Sequence, residues 1–179
     1  MAVLGVCLLF AFHSGASASG ELLEAPAATP AEFRLQDLSG QTRGLGDFVG
    51  SVVLINFWAS WCRPCIEEMP SIQRLTDELT NRPFVVVAIN VGESPRRVQT
   101  SAKRLQIDFP VLLDRDNAVF HSWGATVLPA ARVIDCHGKI RYRVDGPVEW
   151  DRADIVTALQ TLAAEGCRGQ PMRPTPARN

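Results

Sequence analysis

Two cysteines separated by two residues, Cys62 and Cys65, are the part of this sequence best suited to chemistry. They follow the apolar run at 52–57 and open a segment with helical spacing, so they lie where a buried strand gives way to a helix. Two thiols at this spacing can close a small disulfide ring and reopen it. The pair indicates dithiol chemistry in the form of thiol-disulfide exchange, metal binding or a structural link.

The start of a helix gives the two cysteines different predicted roles. Only a thiolate attacks a disulfide, and the free backbone N–H groups of a helix N-terminus favour a negative charge on Cys62, with the cation of Arg63 beside it. Cys65 lies one turn further in, so we expect it to be more buried and to resolve a mixed disulfide formed by Cys62. Pro64 lacks a backbone donor and restricts the turn between them, which affects the redox balance.

Metal binding and a static disulfide are the alternatives for this pair. A structural zinc site typically has four ligands, whereas this sequence has no second CxxC and its His121 and His137 are isolated. A disulfide that spans two residues closes too short a loop to stabilise a fold by much. Redox exchange is therefore favoured, with no cofactor and no metal site predicted. A copper-binding module that uses the CxxC is kept as an alternative from another class.

Size and charge limit the other possibilities. A chain of 179 residues with 46% hydrophobic composition is long enough for one domain with a proper core. Its 18 Lys and Arg residues against 19 Asp and Glu residues give a formal net charge of -1, which offers no basic surface for nucleic acid. We therefore expect a monomer that binds proteins and no nucleic acid.

The N-terminal segment has the pattern of an export signal. An apolar stretch from Ala2 to Phe12 is followed by small residues that end at Ala18, which predicts a signal peptide over 1–18, although no Lys or Arg precedes the stretch. The stretch is shorter than the roughly 20 residues that span a bilayer as a helix. The predicted location is periplasmic or otherwise extracytoplasmic, with the chain soluble after cleavage or membrane-anchored if the signal is retained.

Composition divides the remaining chain into three segments. Residues 19–30 are small, contain proline and lack periodicity, which predicts a linker, while residues 31–167 are predicted to form the folded domain. Residues 168–179 contain three prolines and are predicted to be a disordered tail. After signal cleavage the chain keeps an even number of cysteines, which suits an oxidising compartment: Cys62, Cys65, Cys136 and Cys167.

The apolar pattern of the domain predicts a mixed α/β fold. The runs at 52–57 and 84–89 are continuous, as in central parallel strands buried on both faces, and a helix with apolar residues three or four apart lies between them. A hairpin is predicted around 32–40, a helix at 95–105 that follows Ser94, a strand at 111–113, a helical turn at 117–123, paired strands at 130–134 and 139–144, and a last helix capped by Asp151. This order describes a mixed sheet flanked by helices on both faces.

The sequence resembles the thioredoxin-fold family of exported thiol-disulfide oxidoreductases of the TlpA/ResA/DsbE type. The resemblance rests on NFWASWCRPC at 56–65, EMP at 68–70, NVGE at 90–93 and Leu128-Pro129, and it covers about 33–162. It implies a thioredoxin fold with an N-terminal β-hairpin extension. It also implies a protein-disulfide reductase that acts on disulfide-containing proteins and is reduced again by an upstream, membrane-bound thiol reductant. The implied pathway is cytochrome c maturation or a related reductive task. A disulfide oxidase of the same fold is the alternative.

The same resemblance implies a substrate groove. Pro129 should be a cis-proline that faces the CxxC and whose backbone pairs with an incoming peptide strand. The groove is completed by Trp61, Arg63, Pro64 and Leu128.

Glu68 is implied as a third catalytic residue. Classical thioredoxins carry a buried aspartate in the central strand, whereas this chain has Asn56 there, which does not titrate. Glu68 follows Cys65 by about one helical turn, and family members of this branch use a glutamate at this position to tune the cysteines. The alternative is that Glu68 is a solvated acid in the first turn of the helix.

Cys136 and Cys167 are predicted to lie close together. The last helix should run antiparallel to the strand at 139–144, and about fifteen residues at ~1.5 Å and about six at ~3.3 Å cover similar lengths. We hypothesise a structural disulfide between the two, worth on the order of 3 to 4 kcal/mol in the loop-entropy treatment. Two free thiols are the alternative.

Overall fold

The computed structural model describes residues 21–167, so the predicted signal at 1–18 and the predicted tail at 168–179 lie outside the described residues. A short 3-10 helix occupies Leu45–Phe48. The strands and helices are β1 (Leu23–Ala28), β2 (Arg34–Asp37), β3 (Thr42–Gly44), β4 (Val52–Trp58), α1 (Arg63–Glu78), β5 (Phe84–Val91), α2 (Pro95–Arg104), β6 (Val111–Asp114), α3 (Ala118–Ser122), β7 (Ala130–Ile134), β8 (Ile140–Asp145) and α4 (Ala153–Gly166).

The strands form one mixed sheet in the order β1-β8-β7-β4-β5-β6-β2-β3. The central pair, β4 and β5, is parallel from Val52 opposite Phe84 to Trp58 opposite Asn90, and every residue in both strands is buried. Continuous apolar runs are needed there because both faces of these strands are covered. The predicted α/β class, the thioredoxin-type sheet and the two central strands are confirmed.

Two apolar clusters lie on opposite faces of this sheet, since side chains alternate along a strand. Leu54 and Val86 belong to the cluster that includes α1, α2 and α4. Ile55 and Val87 belong to the other, which includes α3 and the 3-10 helix. The predicted helices on both faces are present. Among residues 21–167, no helix is long and apolar enough to cross a bilayer.

The predicted hairpin extension is present at one edge of the sheet. Strands β2 and β3 pair antiparallel, with Arg34 opposite Gly44, and β2 also pairs with β6. The backbone of Gly40, with φ of 84°, turns the chain between them.

Strand β1 corrects the interpretation of residues 19–30 as a linker. It pairs antiparallel with β8, from Leu23 opposite Arg143 to Ala28 opposite Ile140, with an irregular register between. An unpaired β8 would expose a row of backbone donors and acceptors at the sheet edge, and pairing with β1 satisfies them. Pro26 is tolerated because β1 is itself an edge strand.

The predicted cap of the last helix is also wrong. The N-cap of α4 is Arg152, and it makes no side-chain capping hydrogen bond. The carboxylate of Asp151 instead accepts a hydrogen bond from Arg74 on α1. The Asp151 carboxylate therefore accepts its hydrogen bond from a charged side chain of another helix and not from the backbone N–H groups at the start of α4.

Candidate active site

The CxxC lies at the N-terminus of α1, where β4 ends. Cys62 is the N-cap residue and its Sγ accepts a hydrogen bond from the Cys65 backbone N at 3.3 Å. The two cysteines form a disulfide with Cα atoms 5.3 Å apart. Cys62 is 5% exposed and Cys65 is fully buried, in the order expected for an attacking and a resolving sulfur. Backbone N–H groups at this helix end can stabilise a thiolate on Cys62 once the ring is opened.

The Leu128–Pro129 peptide bond is cis, as predicted. It directly precedes β7, whose first residue Ala130 pairs with Phe57 near the end of β4. Because β4 then leads into the CxxC loop, the cis-proline lies at the same end of the sheet as the two cysteines. The backbone carbonyl of Pro129 accepts a hydrogen bond from Gly146 N at 2.9 Å, which holds this loop against the start of the segment after β8.

Glu68 is buried below the CxxC, and the alternative of a solvated acid is wrong. Its side chain is 3% exposed, its Oε1 accepts a hydrogen bond from Asn56 Nδ2 at 2.7 Å, and its Oε2 accepts one from Val148 N at 3.3 Å. Burial raises the pKa of Glu68 to about 7, against the opposing effect of these hydrogen bonds. The indole of Trp150 also lowers this pKa, although its Nε1 makes no hydrogen bond of normal geometry within the described chain.

Glu68 can therefore change its protonation state near neutral pH in a dry environment. It follows Cys65 by three residues on α1, which places both on one face of the helix. The neighbouring Glu67 is 61% exposed and pairs with Arg63, so it points to solvent as expected.

Comparison with known proteins agrees with this geometry. The AhpC/TSA family model matches residues 26–143. Thiol-disulfide oxidoreductase ResA of Geobacillus thermodenitrificans is 33% identical over 135 residues, which are 75% of this chain and 76% of that protein. The chain belongs to the AhpC/TSA family and to its ResA-like thiol-disulfide oxidoreductases.

Two further relatives support this assignment. ResA of Bacillus subtilis is 33% identical over 143 residues, covering 80% of this chain and 77% of that protein. The crystal structure of a thiol:disulfide interchange protein of the thioredoxin family from Chlorobium tepidum superposes with a TM-score of 0.65 at 25% identity, covering 76% of this chain and 99% of that one.

The exposed side chains of this ResA-like site include both apolar and cationic ones. Trp61 is 66% exposed and Val127, just before the cis-proline loop, is 50% exposed, so both present apolar surface beside the CxxC. The groove predicted from the sequence ended at Leu128 and did not include Val127, whose exposure only the structure shows. The side chain of Arg63 is 88% exposed and its Nε lies 2.7 Å from Glu67 Oε1, which reduces the support that its charge can give to a Cys62 thiolate.

Glu93 fastens the active-site loop to the start of α2, a role the sequence did not reveal. Its carboxylate accepts hydrogen bonds from Ser60 N at 2.6 Å, Ser60 Oγ at 2.5 Å and Asn90 Nδ2 at 2.8 Å. Burial raises the pKa of Glu93, but the hydrogen bonds from Asn90 and Ser60 outweigh it and hold the pKa below its ordinary value. Glu93 therefore stays ionised and positions the loop that precedes Cys62. Its place in the NVGE motif was the only signal.

Gly92 allows the chain to turn from β5 toward Glu93. Its φ is 75°, and a Cβ placed there would lie 2.8 Å from Asn117 Oδ1. A Gly92→Ala variant should lose about 1 to 2 kcal/mol of stability to backbone strain, and a smaller further amount because the half-buried side chain of Asn117 must move away from the new methyl group. Urea denaturation would measure the loss, and exchange should slow because Glu93 is displaced.

Gly40→Ala is the matched control for this prediction. Gly40 has a φ of 84° with no heavy atom within 4 Å of an added Cβ, so its replacement introduces the strain without the clash. Equal losses of stability in the two variants would show that the contact with Asn117 is unimportant.

Cys136 and Cys167 are brought together at the other end of the sheet. Their Cα atoms are 5.5 Å apart, they are joined as a disulfide, and they are separated by 31 residues in sequence. Cys136 follows Ile134, which pairs with Val53 at the start of β4, whereas the CxxC follows the end of that strand. This arrangement is suited to a structural disulfide and keeps it away from the CxxC.

Within residues 21–167, no three His, Cys, Asp or Glu side chains are grouped to hold a metal ion. The ring of His121 packs edge-on against Phe120 with centroids 5.3 Å apart. His121 itself is an exposed residue of α3.

Proposed function

We propose that this ResA-like oxidoreductase reduces disulfides in exported protein clients. The observation that carries the proposal is the Cys62–Cys65 disulfide at the N-terminus of α1, beside the cis peptide bond before Pro129 and above the buried carboxyl of Glu68. These groups supply an attacking sulfur, a resolving sulfur, an acid-base group and a backbone edge for a client.

The exchange proceeds in two displacements that together transfer two electrons. In the dithiol form, the Cys62 thiolate attacks one sulfur of the client disulfide, and the other client sulfur leaves as a thiolate that takes up a proton. The Cys65 thiolate then attacks the Cys62 sulfur of the mixed disulfide. The second client thiolate leaves, and the Cys62–Cys65 disulfide forms. A membrane-bound upstream thiol reductant restores the dithiol by the same chemistry in reverse.

Glu68 acts as the proton acceptor for the resolving step. Cys65 is fully buried and needs a nearby base to become a thiolate, because bulk water does not reach it. The pKa of Glu68 is raised by burial to about 7, so the carboxylate can take up a proton near neutral pH and release it again. Asn56 orients Oε1 of this carboxylate through a hydrogen bond of 2.7 Å.

The client binds along the cis-proline loop. The backbone of Leu128 is the edge offered to an extended client strand, because Pro129 has no N–H and its carbonyl already accepts from Gly146 N. Trp61 and Pro64 flank the reacting sulfur with apolar surface. Arg63, exposed at the rim, contributes a cation that is already paired with Glu67.

The cellular setting that we propose is extracytoplasmic, in cytochrome c maturation, with the protein acting as a monomer. The apolar segment and small residues at 1–18 support export, and the similarity to ResA proteins supports a disulfide-exchange task outside the cytoplasm. Apocytochrome c with an oxidised CxxCH haem-attachment motif is then the client, since its two cysteines must be reduced before haem can attach.

Trapping with a Cys65→Ser variant tests the proposal. We expect the reduced variant to accumulate a mixed disulfide between Cys62 and oxidised apocytochrome c, because the resolving sulfur is missing. Non-reducing electrophoresis and mass mapping would identify the bond, and Cys62→Ser is the control that should form none. Failure to trap any disulfide-containing protein would overturn the exchange mechanism. Trapping of other oxidised proteins but not of apocytochrome c would overturn only the pathway.

A further inference from the structure

A groove with basic side chains opens beside the active-site loop. One wall is formed by Ser60 and Trp61, and the other by α2, including Arg96, Arg97 and Arg104. Its volume is about 630 Å³. Sequence reasoning did not include these arginines in the site, because it could not place α2 beside Trp61.

The charge of this groove stands out from the rest of the chain. Helix α2 contains four basic residues and no acidic one, whereas the chain as a whole has a net charge of -1. Arg97 lies 3.8 Å from Glu93 and is still 64% exposed. Arg96 and Arg104 are exposed and take part in no ion pair within residues 21–167. Two guanidinium groups are therefore available to an incoming carboxylate.

The groove is held in a fixed relation to the reacting sulfur. Ser60 is bound through its backbone N and its Oγ to Glu93, which directly precedes the N-cap residue of α2. Trp61, 66% exposed, is the residue before Cys62. A molecule bound in the groove consequently lies next to the sulfur that attacks the client.

We propose that this groove binds an acidic segment of the protein client, close in sequence to the disulfide that Cys62 attacks. The inference rests on the proposed function and names the class of client. Arginine pairs with carboxylates through two parallel hydrogen bonds, and the exposed face of Trp61 offers apolar contact to the same peptide.

The spacing of the arginines favours a peptide over a small anion. Arg96 and Arg104 are eight residues apart on α2, which at ~1.5 Å per residue separates them by about 12 Å along the helix axis. An extended peptide covers that length with about four residues. A single small anion cannot bridge it, so several carboxylates along one chain are the fitting ligand.

Two disulfide-containing peptides that differ only in charge test the inference. Each carries the same disulfide, flanked by four glutamates in one peptide and four glutamines in the other. At low ionic strength we expect the reduced wild-type protein to react with the glutamate peptide about five to ten times faster. An Arg96→Gln/Arg104→Gln variant should lower this rate ratio to about one to two, and salt should lower it in the wild type.

A matched control removes two other exposed arginines. Arg82, between α1 and β5, and Arg143, on β8, lie outside the groove, and the Arg82→Gln/Arg143→Gln variant should keep the wild-type ratio. In every variant the rate with the glutamine peptide reports separately on whether the protein is folded and active.

The outcomes separate the inference from the proposed function. Equal wild-type rates for both peptides, or a preference that survives in the Arg96→Gln/Arg104→Gln variant, would overturn the acidic-client inference and leave the reductase proposal standing. No reaction with either peptide would contradict the reductase proposal itself. If free glutamate inhibits as well as a cysteine-free tetraglutamate peptide at equal carboxylate concentration, the groove is a small-anion site and the inference is wrong.

Discussion

A Glu68→Gln variant should lack a pH dependence of stability that the wild type shows. In the wild type, the free energy of unfolding should fall by about 3 kcal/mol as the pH rises from 4.5 to about 7. Burial raises the pKa of Glu68 in the folded protein, so the unfolded chain binds fewer protons in this interval. The stability that depends on the protonated carboxyl is complete below pH 4.5 and is lost as the pH rises through about 7. Urea unfolding of both proteins at pH 4 and pH 8 would measure the difference.

The same replacement should change the chemistry of the cysteines. Glutamine keeps an acceptor for Asn56 Nδ2 but cannot take up a proton, so the inflection near pH 7 should disappear from the rate of the resolving step. The titration of the Cys62 and Cys65 thiols, followed by alkylation rates, should shift as well. A purely structural role for Glu68 would leave both of these readouts where they are.

Glu67→Gln is the matched control for both measurements. It removes one carboxylate from the adjacent position of α1, but that side chain is 61% exposed. We expect a wild-type pH dependence of stability and exchange in this variant. Identical behaviour of the Glu67→Gln and Glu68→Gln variants would show that the buried environment of Glu68 has no functional effect.

Removal of the Cys136–Cys167 disulfide should lower the free energy of unfolding by about 3 to 4 kcal/mol. The bond closes a loop with a sequence separation of 31, and its loss returns conformational entropy to the unfolded chain. A Cys136→Ala/Cys167→Ala variant, compared with the oxidised wild type in urea, would show the change. Exchange by the CxxC should continue where the variant is folded, because the two pairs lie at opposite ends of β4.

Cys62→Ala/Cys65→Ala provides the comparison for loop length. Its sequence separation is only 3, so the same treatment predicts a smaller loss of about 1 to 2 kcal/mol. Mass mapping of the unreduced protein checks the bond directly. Recovery of alkylated Cys136 and Cys167 from that protein would mean that the two thiols are free and the prediction is wrong.

Local sequence patterns predicted the parts of the fold whose signals lie within a few residues. The continuous apolar runs of β4 and β5 identified strands buried on both faces, and Ser94 with Pro95 marked the start of α2. The CxxC was placed at a helix N-terminus by the change from an apolar run to helical spacing. These features depend on propensity and periodicity, which a short segment carries by itself.

Patterns failed where the partner of a segment is distant in sequence. Strand β1 was interpreted as part of a linker because its residues are small, include a proline and lack periodicity, yet β8 pairs with it more than a hundred residues later. Asp151 was interpreted as a helix cap, yet its partner is Arg74 on α1. Backbone edges and exposed charges accept many partners, so the sequence does not reveal which one the fold brings near.

The sequence by itself determined the chemistry of this protein, since the spacing of Cys62 and Cys65 at a strand-helix junction specifies a dithiol that can be oxidised and reduced. Only the tertiary structure decided which groups lie around that dithiol and in what environment. The packing of separate segments around Glu68 buries it and raises its pKa, while hydrogen bonds from Asn56 and the backbone of Val148 oppose that rise. Desolvation and the approach of separate segments depend on the packed chain, and neither is encoded in the local pattern around the cysteines.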